Sequence, residues 1–265
     1  MAAVRIMGII NVTPDSFSDG GCYQDEVSIV AQADALVAAG ADLLDVGGES
    51  TRPFAQPVSE IEELRRVIPA IQAIRRKYSL PISIDTCKAE VARQALMAGA
   101  DMINDISALR HDPAMIELLR TTEVPVVIMH MQGTPGDMQV EPVYQDVVAE
   151  ILDFFRERLD WLQGQGVDRR RIILDPGIGF GKTLIHNLLI LKNLSAFSSL
   201  GQPILLGHSR KRFLGEITDR QVDERDFATA VVSALAVTKG ISIVRVHDVS
   251  SSRQAIQIAE AIGAV

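Results

Sequence analysis

The amino-acid sequence predicts a single-domain α/β protein folded as a (β/α)8 TIM barrel. Three observations favour this fold. The chain has 265 residues, close to the roughly 250 residues of a typical barrel of this kind. Short apolar segments alternate with amphipathic segments eight times along the chain. Most of the apolar segments are rich in Ile, Val and Leu on both faces, as buried parallel strands are. We expect one domain spanning residues 1–265.

The predicted strands are short apolar segments that mostly end at a polar or turn-forming residue. They are 5–11, 41–47, 81–86, 102–107, 124–131, 171–177, 203–209 and 241–249. The predicted helices are 27–39, 59–78, 88–98, 113–120, 144–163, 184–197, 225–238 and 251–262. Ser59 fits the N-cap of the second helix. Gly40, Gly99 and Gly240 fit helix C-caps that precede strands.

An open doubly wound sheet is the alternative fold, but it usually carries a glycine fingerprint after its first strand, where Asn11-Val-Thr-Pro stands here. The glycine-rich stretch at 175–183 does not supply a nucleotide-binding loop. Pro176 occupies the first glycine position of a Walker A motif, and Lys182 occupies the last glycine position of GxGxxG. We interpret these glycines as permitting a tight turn close to a ligand.

Composition excludes several classes of protein. The formal net charge of −8 disfavours binding to nucleic acid or to a membrane surface. No apolar run is long enough for a membrane helix, and the first residues lack the features of a signal peptide. A cytoplasmic location is therefore expected. Cys22 and Cys87 are too few and too far apart for a disulfide scaffold or a zinc site.

Polar residues fall at or near the carboxyl ends of the predicted strands, where barrel enzymes place their active sites. A single Asp at such a position often serves a turn or a helix cap. The whole set indicates a ligand site. Its members are Asn11, Asp45, Asp85, Asn104, Asp105, His130, Asp175, Ser209, Arg210, Lys211, Arg245, His247 and Asp248.

The residue types indicate two neighbouring subsites. Asp85, Asn104 and Asp175 suit a flat heterocycle with amino and ring N–H donors, because a carboxylate accepts two parallel hydrogen bonds. Lys211 can serve a carbonyl or a ring acceptor of the same molecule, and Phe180 is either a stacking residue or a core residue.

The second predicted subsite holds an anion. Arg245 and His247 are two residues apart on a strand, so their side chains point the same way and can hold a phosphate. Asn11 becomes a Mg²⁺ ligand only if phosphate oxygens and water complete the coordination shell.

Seven segments together resemble the dihydropteroate synthases, in order and over essentially the whole chain. They are NVTPDSFSD at 11–19, DVGGESTRP at 45–53, SIDT at 83–86, IND at 103–105, DPGIGFGK at 175–182, SRK at 209–211 and RVHD at 245–248. The resemblance implies condensation of 6-hydroxymethyl-7,8-dihydropterin pyrophosphate with 4-aminobenzoate in folate biosynthesis. It also implies an SN1-like pterin cation, a Mg²⁺ cofactor and, by analogy with family members, a homodimer.

The resemblance also implies a role for individual residues. Asn11 corresponds to the Mg²⁺ contact, and Arg245 and His247 correspond to the pyrophosphate contacts. The pterin pocket corresponds to Asp85, Asn104, Ile106, Met129, Asp175, Gly207 and Lys211. The contacts for 4-aminobenzoate, the substrate that sulfonamides mimic, correspond to Pro53, Phe180 and Ser209. The loops after strands one and two contain Asp15 to Asp19, and Thr51 and Arg52, respectively. Asp85, Asp175, Lys211, Arg245 and His247 are the expected catalytic residues.

Two alternative functions share part of this pattern. A methyltetrahydrofolate-binding methyltransferase domain has a similar Asp and Asn pocket, but the TPDSF, SRK and RVH segments argue against it. A non-catalytic pterin-binding paralogue would be expected to lack the pyrophosphate-binding or loop residues, and these are present here.

Overall fold

The computed structural model describes residues 3–12, 22–51 and 55–265, in which strands and helices alternate. The strands are β1 (Arg5–Asn11), β2 (Leu43–Gly47), β3 (Ile82–Asp85), β4 (Met102–Asp105), β5 (Val126–Met129), β6 (Ile172–Asp175), β7 (Leu205–Leu206) and β8 (Ile243–Val246). The helices are α1 (Cys22–Ala38), α2 (Glu60–Lys77), α3 (Ala89–Ala98), α4 (Ala114–Arg120), α5 (Val147–Gly164), α6 (Leu184–Lys192), α7 (Arg212–Thr218), α8 (Asp226–Val237) and α9 (Val249–Gly263).

The eight strands of the described residues form one parallel sheet in the order β6-β5-β4-β3-β2-β1-β8-β7. A parallel bridge between Leu174 and Ile204 joins β6 to the segment that leads into β7, which closes the sheet into a barrel. The predicted (β/α)8 TIM barrel is therefore confirmed. None of the helices in the described ranges combines the length and the apolar character needed to span a lipid bilayer.

The barrel interior changes from apolar to polar along the strands. One interior cluster consists only of apolar side chains, and its members are Met7, Leu43, Met102, Val127, Ile173, Leu205 and Ile243. Successive side chains on a strand alternate between faces, so the residues two positions further along point the same way. On β2, β4, β6 and β8 these residues are Asp45, Asn104, Asp175 and Arg245. The strand period alone therefore places a polar layer above an apolar floor.

Several element boundaries differ from the prediction for local reasons. Helix α7 was not predicted, because its seven residues are too few to show a periodic apolar face. β7 covers two residues instead of seven, since Pro203 has no N–H to donate and the chain turns toward α7 after Leu206. β8 ends at Val246 because Asp248 caps α9, its Oδ1 accepting from the Ser251 backbone N–H. Gly99 has φ +113° and caps α3, as predicted.

Candidate active site

Arg245 on β8 joins two carboxylates at the carboxyl end of the barrel. Its Nε donates to Asp45 Oδ2 at 2.6 Å, and its Nη2 donates to Asp85 Oδ2 at 2.7 Å. Asn104 Nδ2 donates to the same Asp45 oxygen at 3.2 Å. Strands β2, β3, β4 and β8 thus contribute to one hydrogen-bonded group, which brings the predicted Asp85, Asn104 and Arg245 together.

Asp45 lies in the middle of β2 and not at its end, because the strand continues to Gly47. It is completely buried, and its Oδ1 has no hydrogen-bond partner among the described residues. The sequence analysis counted Asp45 among the strand-end polar residues but assigned it to neither subsite. Its position two residues beyond the buried Leu43 was the available signal. An orphaned buried carboxylate oxygen is costly, so a ligand donor at this atom would be stabilising.

Asp175 and Lys211 form the opposite side of the site. Asp175 Oδ1 accepts from the Gly177 backbone N–H at 2.8 Å. Gly207 lies beside Asp175: a Cβ at position 207 would lie 3.3 Å from Asp175 Oδ2. Lys211 Nζ lies 3.9 Å from the centroid of the Phe180 ring, a cation–π distance. The missing side chain at Gly207 keeps space open beside the carboxylate.

An apolar wall stands beside these polar groups. Ile106, Met129 and Phe180 belong to one buried cluster, together with Met131 and Met138. Phe180 is therefore both a packed residue and a residue whose ring faces the Lys211 ammonium. A flat apolar surface next to carboxylates and an amide suits a planar heterocycle with polar edges.

Ser209 and His247 lie against each other on the loops after β7 and β8. Ser209 Oγ accepts from the His247 backbone N–H at 3.1 Å and lies 2.9 Å from His247 Nδ1. Ser209 is buried and His247 is partly exposed. The seryl hydroxyl therefore fixes the position of the imidazole beside the end of β8.

Asn11 ends β1 and pairs in register with Gly47 of β2. Thr51 follows β2 and is partly buried, whereas Arg52 and Pro53, like residues 15–19, lie outside the described residues. Within the described ranges, no three His, Cys, Asp or Glu residues group together in a way that could hold a metal ion. One neutral amide oxygen can hold Mg²⁺ only together with ligand oxygens and water.

Burial shifts the pKa values of Asp85, Asp175 and Lys211 toward their neutral forms. It raises the pKa of Asp85 to about 7, although the Arg245 charge opposes the rise. It raises the pKa of Asp175 to about 6, against the hydrogen bond from the Gly177 backbone. It lowers the pKa of Lys211 to about 8, and Arg245 adds to this effect. These groups change charge close to neutral pH, as groups at functional sites commonly do.

The raised carboxyl pKa values predict a dependence of stability on pH. The unfolded chain releases these protons near the ordinary pKa of 3.8, whereas the folded protein holds them up to about pH 6 and 7. Since the folded state binds more protons in this window, the free energy of unfolding should fall as pH rises through it. Urea unfolding at several pH values should show a smaller fall in the Asp85→Asn, Asp175→Asn double variant. An equal fall in both proteins would contradict the assignment.

The loop after β6 packs directly against the end of β5. Gly177 has φ +70°, and a Cβ at this position would lie 2.0 Å from the His130 carbonyl oxygen. Gly181 has φ +60°, and its Cβ would lie 2.5 Å from the Gln132 carbonyl oxygen. Both contacts are with backbone, which cannot swing aside as a side chain can. The glycines therefore permit the backbone of this loop to approach the backbone after β5 closely, which explains them without a phosphate-binding role.

We expect Gly177→Ala to lower the free energy of unfolding by more than about 3 kcal/mol, because backbone strain and overpacking add. The control is Gly201→Ala, since Gly201 has a similar φ of +73° with open space around its Cβ position. This control should cost only about 1 kcal/mol. Denaturant unfolding of both variants measures the difference, and equal losses would show that the clash with His130 is unimportant.

Comparison with known proteins identifies the family of the chain. Residues 7–247 match the family described as "Pterin binding enzyme". The dihydropteroate synthase of Synechocystis sp. is 46% identical over 258 residues, which are 97% of this chain and 89% of that protein.

Two solved structures share the whole fold. The Yersinia pestis dihydropteroate synthase, solved in a sulfonamide drug complex, has a TM-score of 0.94 and 40% identity, covering 100% of this chain and 96% of that one. The Xanthomonas albilineans dihydropteroate synthase, solved with 4-aminobenzoic acid, has a TM-score of 0.93 and 46% identity, covering 100% and 94%. The chain therefore belongs to the dihydropteroate synthase family of pterin-binding enzymes, and it is a transferase.

Proposed function

We propose that this protein joins 6-hydroxymethyl-7,8-dihydropterin pyrophosphate to 4-aminobenzoate, giving 7,8-dihydropteroate and pyrophosphate in folate biosynthesis. The observation that carries the proposal is the polar layer of Asp45, Asp85, Asn104, Asp175 and Lys211 above an apolar floor. The similarity to the Xanthomonas albilineans enzyme, solved with 4-aminobenzoic acid, supports the second substrate.

The pterin is proposed to lie between Asp85 and Asp175, with Asn104 and Lys211 completing its polar contacts. Both carboxylates are acceptors, which matches the amino and ring N–H groups of a pterin. Ile106, Met129 and Gly207 are proposed to line the pocket. The buried Asp45 Oδ1, which has no partner within the described residues, is available for a further donor of the ring.

Arg245 and His247 are proposed to bind the pyrophosphate. The guanidinium uses Nε and one Nη2 donor for the two carboxylates, so further N–H groups can meet an anion. His247 is held beside Ser209, next to the end of the strand that carries Arg245. The ion pairs with Asp45 and Asp85 keep the guanidinium between the ring site and the anion site.

Asn11 is proposed to contribute one oxygen ligand to Mg²⁺. The donor chemistry fits this role, because amide oxygens are hard ligands and Mg²⁺ commonly keeps waters and substrate phosphate oxygens in its shell. When bound, the ion would supply charge neutralisation of the leaving pyrophosphate.

The reaction exchanges a C–O bond for a C–N bond. The bond between the pterin methylene carbon and pyrophosphate breaks first, which leaves a cation delocalised over the pterin. Asp85 and Asp175 stabilise that positive charge, while Arg245 and His247 stabilise the negative leaving group. The amine nitrogen of 4-aminobenzoate then attacks with its free lone pair and releases one proton. No general base is needed to activate such a nucleophile.

The 4-aminobenzoate is proposed to lie against Phe180 and Ser209, with Pro53 as a further contact. Thr51 and Arg52 are proposed as further substrate-binding residues. Sulfonamides are proposed to occupy the same place, supported by the similarity to the Yersinia pestis enzyme solved with a sulfonamide drug.

A homodimer is proposed through the outer face of α8. Phe227, Val231 and Leu235 are spaced by four residues, so they form one stripe, and they are 80%, 43% and 64% exposed. Exposed apolar stripes of this kind commonly mark protein interfaces. A cytoplasmic location remains a prediction from the sequence.

Phe227→Glu is expected to convert the protein to monomers, because a charge would be buried in the apolar interface. Sedimentation velocity measures the assembly state. Ile61→Glu on α2 is the control, since Ile61 is equally exposed but lies away from the stripe. A dimer that survives Phe227→Glu would place the interface elsewhere.

The experiment that tests the function measures pyrophosphate release from the pterin pyrophosphate with Mg²⁺. Release that requires 4-aminobenzoate, and that a sulfonamide inhibits competitively with it, is expected. Pterin binding without any turnover would instead identify a non-catalytic pterin-binding protein.

A further inference from the structure

Lys182 is a buried cation that the proposed mechanism does not use. Its side chain is only 3% exposed, and it follows the glycine-rich loop after β6. Nζ donates to the Phe180 carbonyl oxygen at 2.9 Å and to the His130 carbonyl oxygen at 3.3 Å, and it lies 3.0 Å from His130 Nδ1. Burial lowers the pKa of Lys182 to about 7, and the ammonium form, which has three donors, is satisfied completely by these acceptors. Such full satisfaction is what a buried charge requires.

His130 is suited to be the third acceptor. It is buried at the end of β5, and its ring packs edge-on against Phe154 with centroids 4.9 Å apart. Burial and the neighbouring Lys182 and Arg110 charges lower the pKa of His130 to about 2, so the imidazole is neutral. Because an ammonium can only donate, the neutral ring meets Lys182 with Nδ1 as the acceptor. Lys182 in this way connects the loop after β6 to the end of β5.

The neighbouring backbone of this loop is held by other side chains. Gln139 Nε2 donates to the Gly179 carbonyl oxygen at 2.6 Å, and the Tyr144 hydroxyl donates to the Gly181 carbonyl oxygen at 2.9 Å. Together with Lys182, three side chains hold the carbonyls of residues 179, 180 and 181. Gly179 and Gly181 both have positive φ, where glycine alone is unstrained, so the sequence by itself leaves this backbone flexible. The three side-chain hydrogen bonds therefore fix the backbone conformation of residues 179–181, which the glycines alone would not determine.

The residue between these glycines carries the ring that the active site uses. The Phe180 ring lies 3.9 Å from Lys211 Nζ, while the Phe180 carbonyl receives the hydrogen bond from Lys182. A change in the backbone at 180 would therefore move the ring.

We propose that Lys182 is a positioning residue for 4-aminobenzoate, because its contacts with His130 and the Phe180 carbonyl hold the Phe180 ring at the site of the incoming amine. This inference rests on the proposed function and deepens it. Asp85, Asn104 and Asp45 are held by a separate hydrogen-bonded group, so the pterin pocket should depend much less on Lys182.

The test uses Lys182→Met, which keeps the length of the side chain and removes the ammonium. We expect KM for 4-aminobenzoate to rise about tenfold or more, because the loop loses the charge-assisted hydrogen bond from Lys182 that holds the Phe180 backbone. The Kd for 6-hydroxymethylpterin should change less than about twofold. His130→Phe keeps an aromatic ring but removes the acceptor. It should also raise KM for 4-aminobenzoate with little change in the Kd for 6-hydroxymethylpterin. Lys182→Arg should recover part of the loss. The control is Lys192→Met on α6, an exposed lysine that should leave both constants unchanged.

Equal losses for the two ligands, or no change in KM for 4-aminobenzoate, would overturn the inference. Hydrogen exchange of residues 176–183 provides a readout that does not depend on turnover, and it should become faster in Lys182→Met. If the wild-type protein releases no pyrophosphate, the proposed function fails. Unchanged exchange in Lys182→Met would show that Lys182 does not hold the loop, whether or not the wild type is active. If Lys182→Met does not fold, His130→Phe and Lys182→Arg decide the question by the same two measurements.

Discussion

Asp85→Ala is expected to reduce pterin affinity by about a hundredfold or more, because two charge-assisted hydrogen bonds to one carboxylate are lost. Asp45 does not replace it, because its Oδ2 already accepts from both Arg245 and Asn104 and its Oδ1 alone cannot accept two parallel hydrogen bonds. Titration calorimetry with 6-hydroxymethylpterin measures the change. Asp85→Asn should also bind weakly, because the amide presents a donor where the ring N–H needs an acceptor.

The matched control for this prediction is Asp153→Ala, which removes an exposed aspartate from α5. Its affinity for the pterin should equal that of the wild type. Unchanged affinity in Asp85→Ala would remove Asp85 from the proposed pocket and with it the orientation of the ring.

Arg245→Ala is expected to lower the free energy of unfolding strongly, in addition to its effect on binding. The arginine side chain is 21% exposed, and its two partners, Asp45 and Asp85, are 0% and 11% exposed. Removing one partner from a buried ion pair leaves an uncompensated charge, which costs about 3–5 kcal/mol. Denaturant unfolding of the variant measures this cost. Arg212→Ala, which removes an exposed arginine, should have little effect.

Arg245→Ala also distinguishes the pyrophosphate subsite from the pterin subsite. Affinity for the pterin pyrophosphate should fall far more than affinity for the free pterin, because the anion loses its main cation. Some loss for the free pterin is expected as well, since Asp85 loses the charge that favours its ionised form. Equal losses for both ligands would contradict the anion role. Arg245→Lys, which keeps the charge, extends the comparison if the alanine variant does not fold.

The barrel could be predicted from sequence because its strands are buried on both faces and read as apolar runs. The prediction failed where an element was too short to have a period, as at α7, whose buried residues are Phe213 and Leu214. It also failed where a helix cap resembled a strand end, as at Asp248. In both cases the deciding contacts are local hydrogen bonds and not the hydrophobic pattern.

Much of the active-site layer could be predicted for a related reason. Asp85, Asn104, Asp175 and Arg245 lie on strands of known direction, so their common end followed from the topology. The role of Asp45 was missed because its contact with Arg245 joins residues 200 positions apart in the chain. The contact between Lys182 and His130 joins residues 52 positions apart in the chain. No local spacing encodes such a pair, so only the folded structure could show it.

The closure of the barrel between β6 and β7 depends on very little hydrogen bonding. One bridge at Leu174 and Ile204 joins them, and β7 itself contributes only two residues to the sheet. Asp175 lies at one side of this seam, and Gly207 and Lys211 lie at the other. A substrate that contacts both Asp175 and Lys211 would therefore connect β6 to the β7 side of the barrel, where few hydrogen bonds join the strands. Part of the free energy of substrate binding would then stabilise the closed form of the barrel.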